Sequence, residues 1–426
     1  MSHLKAYAAF IIVLGVAGYL AVRWPQGPRS RRGWLSAAAF VVVAAGLLLK
    51  ATDTPWFGDY ESAYFPAGQL ILSAPERLYG QECAFGFVNL PLVADFLVPL
   101  SALGYRPAVL AFTLIGLLLT AGAVYLMIAM PGVGRPARAG AAIAVVAING
   151  PLWYSVREGN LTHFLVLPLV FALGLLMARR DLLAGLILGL VSIIKLPLVL
   201  FAGYLVARWR FRAVVGFVVA IAAVVAASVL IHGMKLHELW LNQCILPYAG
   251  KPLAAFNVQS LTAFWARIYG GQTYSWTPTP IGGSFKWVQT ASSVVLAGIT
   301  ATVLGIAGRP TTRRETALEF SIVVVFILLF SPLSWTHYFV FATIPLVMLV
   351  SGELYSLAAF DRRTVLAGVS VVLLSLPLRG FSVEWPAFRF VYDRFLASHH
   401  FYGGAILLGL LLYARLHRPN TGDVRP

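Results

Sequence analysis

Charged side chains are scarce in this chain. They make up only 11% of its residues, against about 25% in a typical soluble protein. By contrast 59% of the residues are apolar and the mean hydropathy is +0.82. A set of soluble domains is therefore excluded for the 426 residues, and the composition predicts an all-α polytopic membrane protein. Cysteine is almost absent, since Cys83 and Cys244 are the only two. A disulfide framework is excluded, which leaves either one bridge between outer loops or apolar packing.

Chemical signatures are missing as well. There is no HExxH, no paired CxxC, no Walker A loop and no GxGxxG in a dinucleotide context, and His232, His237, His399 and His400 have no carboxylate-rich setting. Zinc chemistry and reactions driven by ATP or sugar nucleotides are thereby disfavoured, and a metal-independent activity without cofactor is expected. No internal repeat or low-complexity tract is present.

What remains is strongly basic, with a net charge of +16. The cations fall in short clusters between apolar runs: Arg29 to Arg32, Arg179-Arg180, Arg208 to Arg212, Arg313-Arg314, Arg362-Arg363 and the tail Arg415 to Arg418. That spacing is a positive-inside pattern, and it argues against a nucleic-acid partner. The apolar runs predict 12 to 14 spanning or partial helices, several shorter than the ~20 residues of a straight span. Residues 1–33 form an extra N-terminal helix and basic loop, with Ala6 to Val22 read as a retained helix because no cleavage site precedes the Arg cluster. Residues 34–352 form the membrane core with outer loops at 53–87 and 233–286, and residues 353–426 form the C-terminal helices and basic tail. Between Val88 and Ala137 the parity fails, because Arg135 and Arg138 fall on the wrong side unless one segment there is re-entrant or skims the surface.

With only 16 Asp and Glu in the chain, acids at the mouth of a membrane helix stand out. Asp59 and Glu61 follow the run Trp34 to Leu49, and Thr54 to Phe87 reads as one or two amphipathic helices. The basic clusters place further groups on the same outer face: Arg157-Glu158-Gly159-Asn160 with His163, Lys195-Leu196-Pro197, and Ser331 to Tyr338 with His337. Lys195-Leu196-Pro197 marks an outward turn between two short helices, since Pro breaks a helix and Lys is costly in lipid. Each group alone also has a structural reading: an interfacial ion pair for Arg157 and Glu158, snorkelling for Lys195, an aromatic belt for His337. Together, one carboxylate facing Arg, Lys and His suits transfer of a group away from a phosphate. The acid takes a proton from a hydroxyl, and the cations hold the leaving phosphate.

At these residues the chain resembles the bacterial membrane glycosyltransferases of family 87, which depend on polyprenol-phosphate-mannose. The likeness rests on Asp59, Tyr64, Ala67-Gly68 and Leu78-Tyr79, then Pro91-Leu92 and Pro99-Leu100. It continues through Gly159-Asn160, Lys195 and Pro197, Asn257 with Gln259-Ser260-Leu261, and Ser331-Pro332 to His337. The resemblance implies a GT-C-like helical bundle in the bacterial cytoplasmic membrane with its site facing outward. A hexose, mannose first, would pass with inversion from a polyprenyl-phosphate donor to a glycolipid or glycan acceptor, membrane lipids being the other partners. Asp59 is then the general base. Lys195, His337, Arg157, His163 and Arg267 are expected around the donor phosphate, and Glu61, Tyr64, Asn160, Gln259 and Trp335 as substrate contacts. The competing readings are a secondary transporter or lipid flippase, disfavoured by the lack of an echo of Asp59 or Lys195 in the second half, and a non-catalytic scaffold subunit.

Overall fold

The computed structural model describes residues 56–80, 86–130, 135–351, 362–376 and 385–417. The predicted helices at Ala6 to Val22 and Trp34 to Leu49, the cluster Arg29 to Arg32, and Cys83 lie outside those residues. The protein is an all-α polytopic membrane protein; among the described residues the only β-pairing is two isolated bridges, Ala255 with Thr273 and Val258 with Trp335. Four helices are long and apolar enough to cross a membrane, or up to five if one bent pair counts as a single span. They are α4 (Tyr105–Ala129), α10 (Phe211–Trp240, running on into the turn Leu241–Ile245), α12 (Gly283–Ala307), and α16 (Pro386–Arg394) joined to α17 (His399–Leu416). The bent pair is α5 (Arg135–Ile148) with α6 (Gly150–Glu158). The expected 12 to 14 segments thus resolve, among the described residues, into these spans and a set of shorter apolar helices.

The shorter helices share a construction. α7 (Val166–Met177), α9 (Phe201–Ala207) and α14 (Thr343–Val350) are each preceded by a 3₁₀ segment, at Leu161–Leu165, Leu196–Leu200 and Thr336–Ala342. A 3₁₀ segment rises ~2.0 Å per residue against ~1.5 Å in an α-helix, so the 17 residues of Leu161–Met177 reach about 28 Å, close to the ~30 Å hydrocarbon core. The extended residue before each 3₁₀ segment is Asn160, Lys195 or Trp335. Short spans of this kind therefore deliver their polar leading residues to one level.

The stretch Val88 to Leu103 holds only the short helices α2 (Pro91–Asp95) and α3 (Val98–Ser101), neither long enough to cross, while α4 is a full span. A stretch of this kind fits the expected segment that is re-entrant or skims the surface, the alternative that would put Arg135 and Arg138 with the other basic clusters. Before it, Tyr60–Tyr64 and α1 (Phe65–Ser73) form the predicted amphipathic element. It buries Tyr60, Tyr64 and Ile71 in an aromatic cluster with Phe87 and Phe112. The loop expected from Gly233 starts later, because α10 resumes after a kink at Gly233 (φ 75°, ψ 162°). Cys244, in the turn after it, is buried and disulfide-bonded.

Packing in lipid favours small residues that let backbones approach. α8 (Asp181–Ile194) and α10 cross this way: a Cβ on Gly185 would run into the Ala213 carbonyl oxygen, and one on Gly216 into that of Leu182. α13 (Arg313–Phe330) starts with a capping box of Thr312 and Glu315 and runs buried through the main core, against α7 and α17. Leu118, Leu230, Val294 and Ile306 stay largely exposed on the long spans, as lipid-facing side chains do.

On the basic side the arginines are not all free for lipid headgroups. Arg208 and Arg415 are buried and converge on the fully buried Glu319, with Arg208 donating from Nε and Nη2 at 2.8 Å each and Arg415 from Nε at 2.9 Å. Arg210 pairs with Asp181 at 2.6 Å. Three of the cations that set the charge pattern thus tie α8, α13, α17 and the segment after α9 together.

Candidate active site

The site begins where the chain enters the aromatic cluster. Phe57 holds a left-handed backbone (φ 68°), unusual for a non-glycine residue. Its N–H donates to the Arg157 carbonyl at 2.7 Å, which docks this entry on the end of α6. Asp59 follows and opens the π-turn Tyr60–Tyr64, a rare geometry found often at functional sites. α6 ends at Gly159 in the left-handed conformation (φ 66°), where a Cβ would lie 2.6 Å from that of Tyr60. Glycine is therefore required for Asn160 to come alongside Asp59.

Asn160 is the hub. Its Nδ2 donates to Asp59 Oδ2 at 2.6 Å, and its Oδ1 accepts from Lys195 Nζ at 3.1 Å. Oδ1 also accepts from the Thr162 hydroxyl at 2.6 Å and from the Thr162 N–H at 3.0 Å, which locks the amide orientation. An acid and a cation are thereby held at opposite ends of one side-chain amide. Lys195 Nζ lies over the Tyr338 ring, 4.9 Å from its centroid. His337 is layered between Tyr154 and Trp335, with ring centroids at 6.2 and 6.3 Å and interplanar angles of 10°. The loop from Asn257 to Ser260 pins this motif: the Asn257 carbonyl accepts from the Thr336 N–H at 2.7 Å, the Gln259 N–H donates to the Ser334 carbonyl at 2.7 Å, and Asn257 Nδ2 donates to the Tyr154 hydroxyl at 3.2 Å.

Burial pushes the Asp59 carboxyl above its ordinary range, while the Asn160 hydrogen bond and the Lys195 charge pull it back. A carboxylate so placed is a better base than one in water. Oδ2 is taken by Asn160, and Oδ1 accepts no hydrogen bond among the described residues, which leaves an oxygen free to receive a proton.

Asp59, Asn160, Lys195, His337 and Trp335 are thus brought together. Arg157 stands at the edge with its side chain 47% exposed, and Tyr64 packs behind Asp59 on Phe112. The other expected residues lie elsewhere or are engaged. Glu61 points to solvent. His163 is buried against Gly116 of α4, with Nδ1 2.9 Å from the Ser155 hydroxyl. Arg267 is fully buried and donates to the carbonyls of Ala255 and Val258 and to the Ser398 hydroxyl. Gln259 donates to the carbonyls of Phe256 and Ala397. Arg267 and Gln259 hold the framework of the pinning loop. Sequence reasoning missed Tyr154, Thr162 and Tyr338. Thr162 follows Asn160 by two residues, the spacing of an Asx turn, and was legible on that ground; the two tyrosines resembled any interfacial aromatics.

The helices thus gather a carboxylate, a buried lysine and an imidazole in one place. The chain belongs to glycosyltransferase family 87, whose model matches residues 87–332. Asn160 and Lys195 fall inside the matched stretch, whereas Asp59 lies well before it and His337 just after it. Over 298 residues the chain is 29% identical to the polyprenol-phosphate-mannose-dependent alpha-(1-2)-phosphatidylinositol pentamannoside mannosyltransferase of Mycobacterium tuberculosis. That similarity takes in 68% of this chain and 65% of the relative's length.

Proposed function

We propose that the protein transfers one hexose, mannose before others, from a polyprenyl monophosphate to a hydroxyl of a glycolipid or glycan. In this reading it works on the outer face of the bacterial cytoplasmic membrane. The observation that carries the reading is the Asp59, Asn160, Lys195 relay, which separates a base from a cation by a single amide. Asp59 Oδ1 takes the acceptor hydroxyl proton as that oxygen attacks the anomeric carbon. The bond from that carbon to the phosphate oxygen breaks, and the phosphate keeps the electron pair and leaves toward Lys195 and His337. A single displacement inverts the anomeric centre, and no metal is assigned to the step. The relative's name, which specifies polyprenol-phosphate-mannose and phosphatidylinositol pentamannoside, supports this choice of substrates.

The test supplies purified protein in detergent with radiolabelled polyprenyl-phosphate-mannose and a lipid extract of the host. Wild type should move label to a slower-migrating lipid, and Asp59→Asn should be slower by ~10² to 10⁴-fold. Transfer from a different polyprenyl-phosphate sugar would change the donor and keep the mechanism. Failure with every lipid-linked donor would reject the reading in favour of a transporter.

A further inference from the structure

Glu158 is a second acid at this site with no settled partner. It lies two residues before Asn160, and its Oε2 stands 3.1 Å from where a Cβ on Gly58 would be, beside the residue that precedes Asp59. Its carboxylate is close enough to that of Asp59 for the two to repel. Among the described residues its only ionic contact is Arg157 Nε at 3.8 Å, too long for a hydrogen bond, from a side chain that is 47% exposed. Such a pair is worth too little to explain a carboxylate set against another acid. Among the described residues no third His, Cys, Asp or Glu completes a group that could hold a metal. What two neighbouring carboxylates with open oxygens recognise is a pair of hydroxyl donors.

We infer that Glu158 is an acceptor-binding residue, accepting a hydrogen bond from a second hydroxyl of the acceptor sugar while Asp59 engages the one that reacts. The acceptor is then a polyol gripped at two hydroxyls, not a simple alcohol. This rests on the transferase reading above. The ionisable groups around the pair are Arg157, Lys195, Tyr154, Tyr64, Tyr338 and His337.

The experiment measures initial rates of wild type, Glu158→Gln and Glu158→Asp against acceptor and donor, using the host lipid acceptor fraction and the donor that wild type accepts. Glu158→Gln should raise the acceptor KM about tenfold or more, as loss of a charge-assisted hydrogen bond does. It should leave the donor KM alone and lower kcat far less than Asp59→Asn. Glu158→Asp, which keeps a carboxylate but shortens its reach, should also raise the acceptor KM, and it serves if the Gln variant fails to fold. Wild-type acceptor KM in both variants would overturn the assignment and leave the transferase reading intact. No transfer by wild type from any polyprenyl-phosphate sugar would reject that reading and this inference with it.

Discussion

Replacing Asn160 by Ala separates the base from the cation at a known cost. The substitution removes the 2.6 Å hydrogen bond to Asp59 and the acceptor that fixes Lys195 at 3.1 Å. A hydrogen bond to a charged group contributes ~1.5 to 3 kcal/mol. Asp59 keeps a partly exposed edge, so the lower value is used, and ~1.5 kcal/mol corresponds to about a tenfold change in the ionisation equilibrium. The sign is fixed: burial already raises this carboxyl, and the Asn160 bond lowers it by favouring the ionised form. Catalysis needs the carboxylate, so activity is full above the raised pKa and lost as pH falls through it. Asn160→Ala should therefore move the acid limb of kcat/KM upward and should cost roughly tenfold below the limb. Initial transfer rates from about pH 4 to 9 in one mixed buffer read both quantities. A limb displaced by less than about 0.3 units, with kcat/KM within twofold of wild type, would refute the relay.

Two further substitutions test the scaffold. Gly159→Ala puts a β-carbon 2.6 Å from that of Tyr60 at a φ of +66°, so it should cost ~1 to 2 kcal/mol and shift Asn160. Its transfer rate should fall by at least about tenfold in protein that still elutes as a single species, and near-normal turnover would show that the turn is adaptable. Glu319→Ala leaves Arg208 and Arg415 buried without the carboxylate both engage at 2.8 to 2.9 Å, and it should cost ~3 to 5 kcal/mol. Thermal unfolding followed by fluorescence-detected size exclusion should show a large loss of melting temperature, and a change of only a degree or two would mean that water or lipid phosphate replaces the carboxylate.

Much of the molecule was written locally. Apolar runs and the spacing of Arg clusters specify helices and sides because lipid permits no unsatisfied backbone and cations stay on one face. Lys195 before Pro197 forces a break whatever surrounds it, and the break is where it was expected, with α8 ending at Ile194. The scarcity of acids drew attention to Asp59 and Glu61, and the family resemblance chose between them. Position along the chain also sorted the outer motifs onto one face, but it did not say which members face each other.

That pairing was decided in three dimensions. Asn160 meets Asp59 across 101 residues and Lys195 across 35, and hydrogen bonds form only when distance and direction agree, conditions that no local pattern encodes. The same requirement drew His163 to Ser155 and spent Arg267 on backbone carbonyls, although their residue types suited a phosphate equally well. It also turned Arg208 and Arg415, which had marked only a side of the membrane, into partners of Glu319. The sequence by itself determined a helical membrane protein, its segment order and its candidate acid, because hydrophobicity and charge act on each segment separately. The tertiary structure alone decided which polar groups form the site, because a buried polar atom takes whichever partner the packed helices bring within reach.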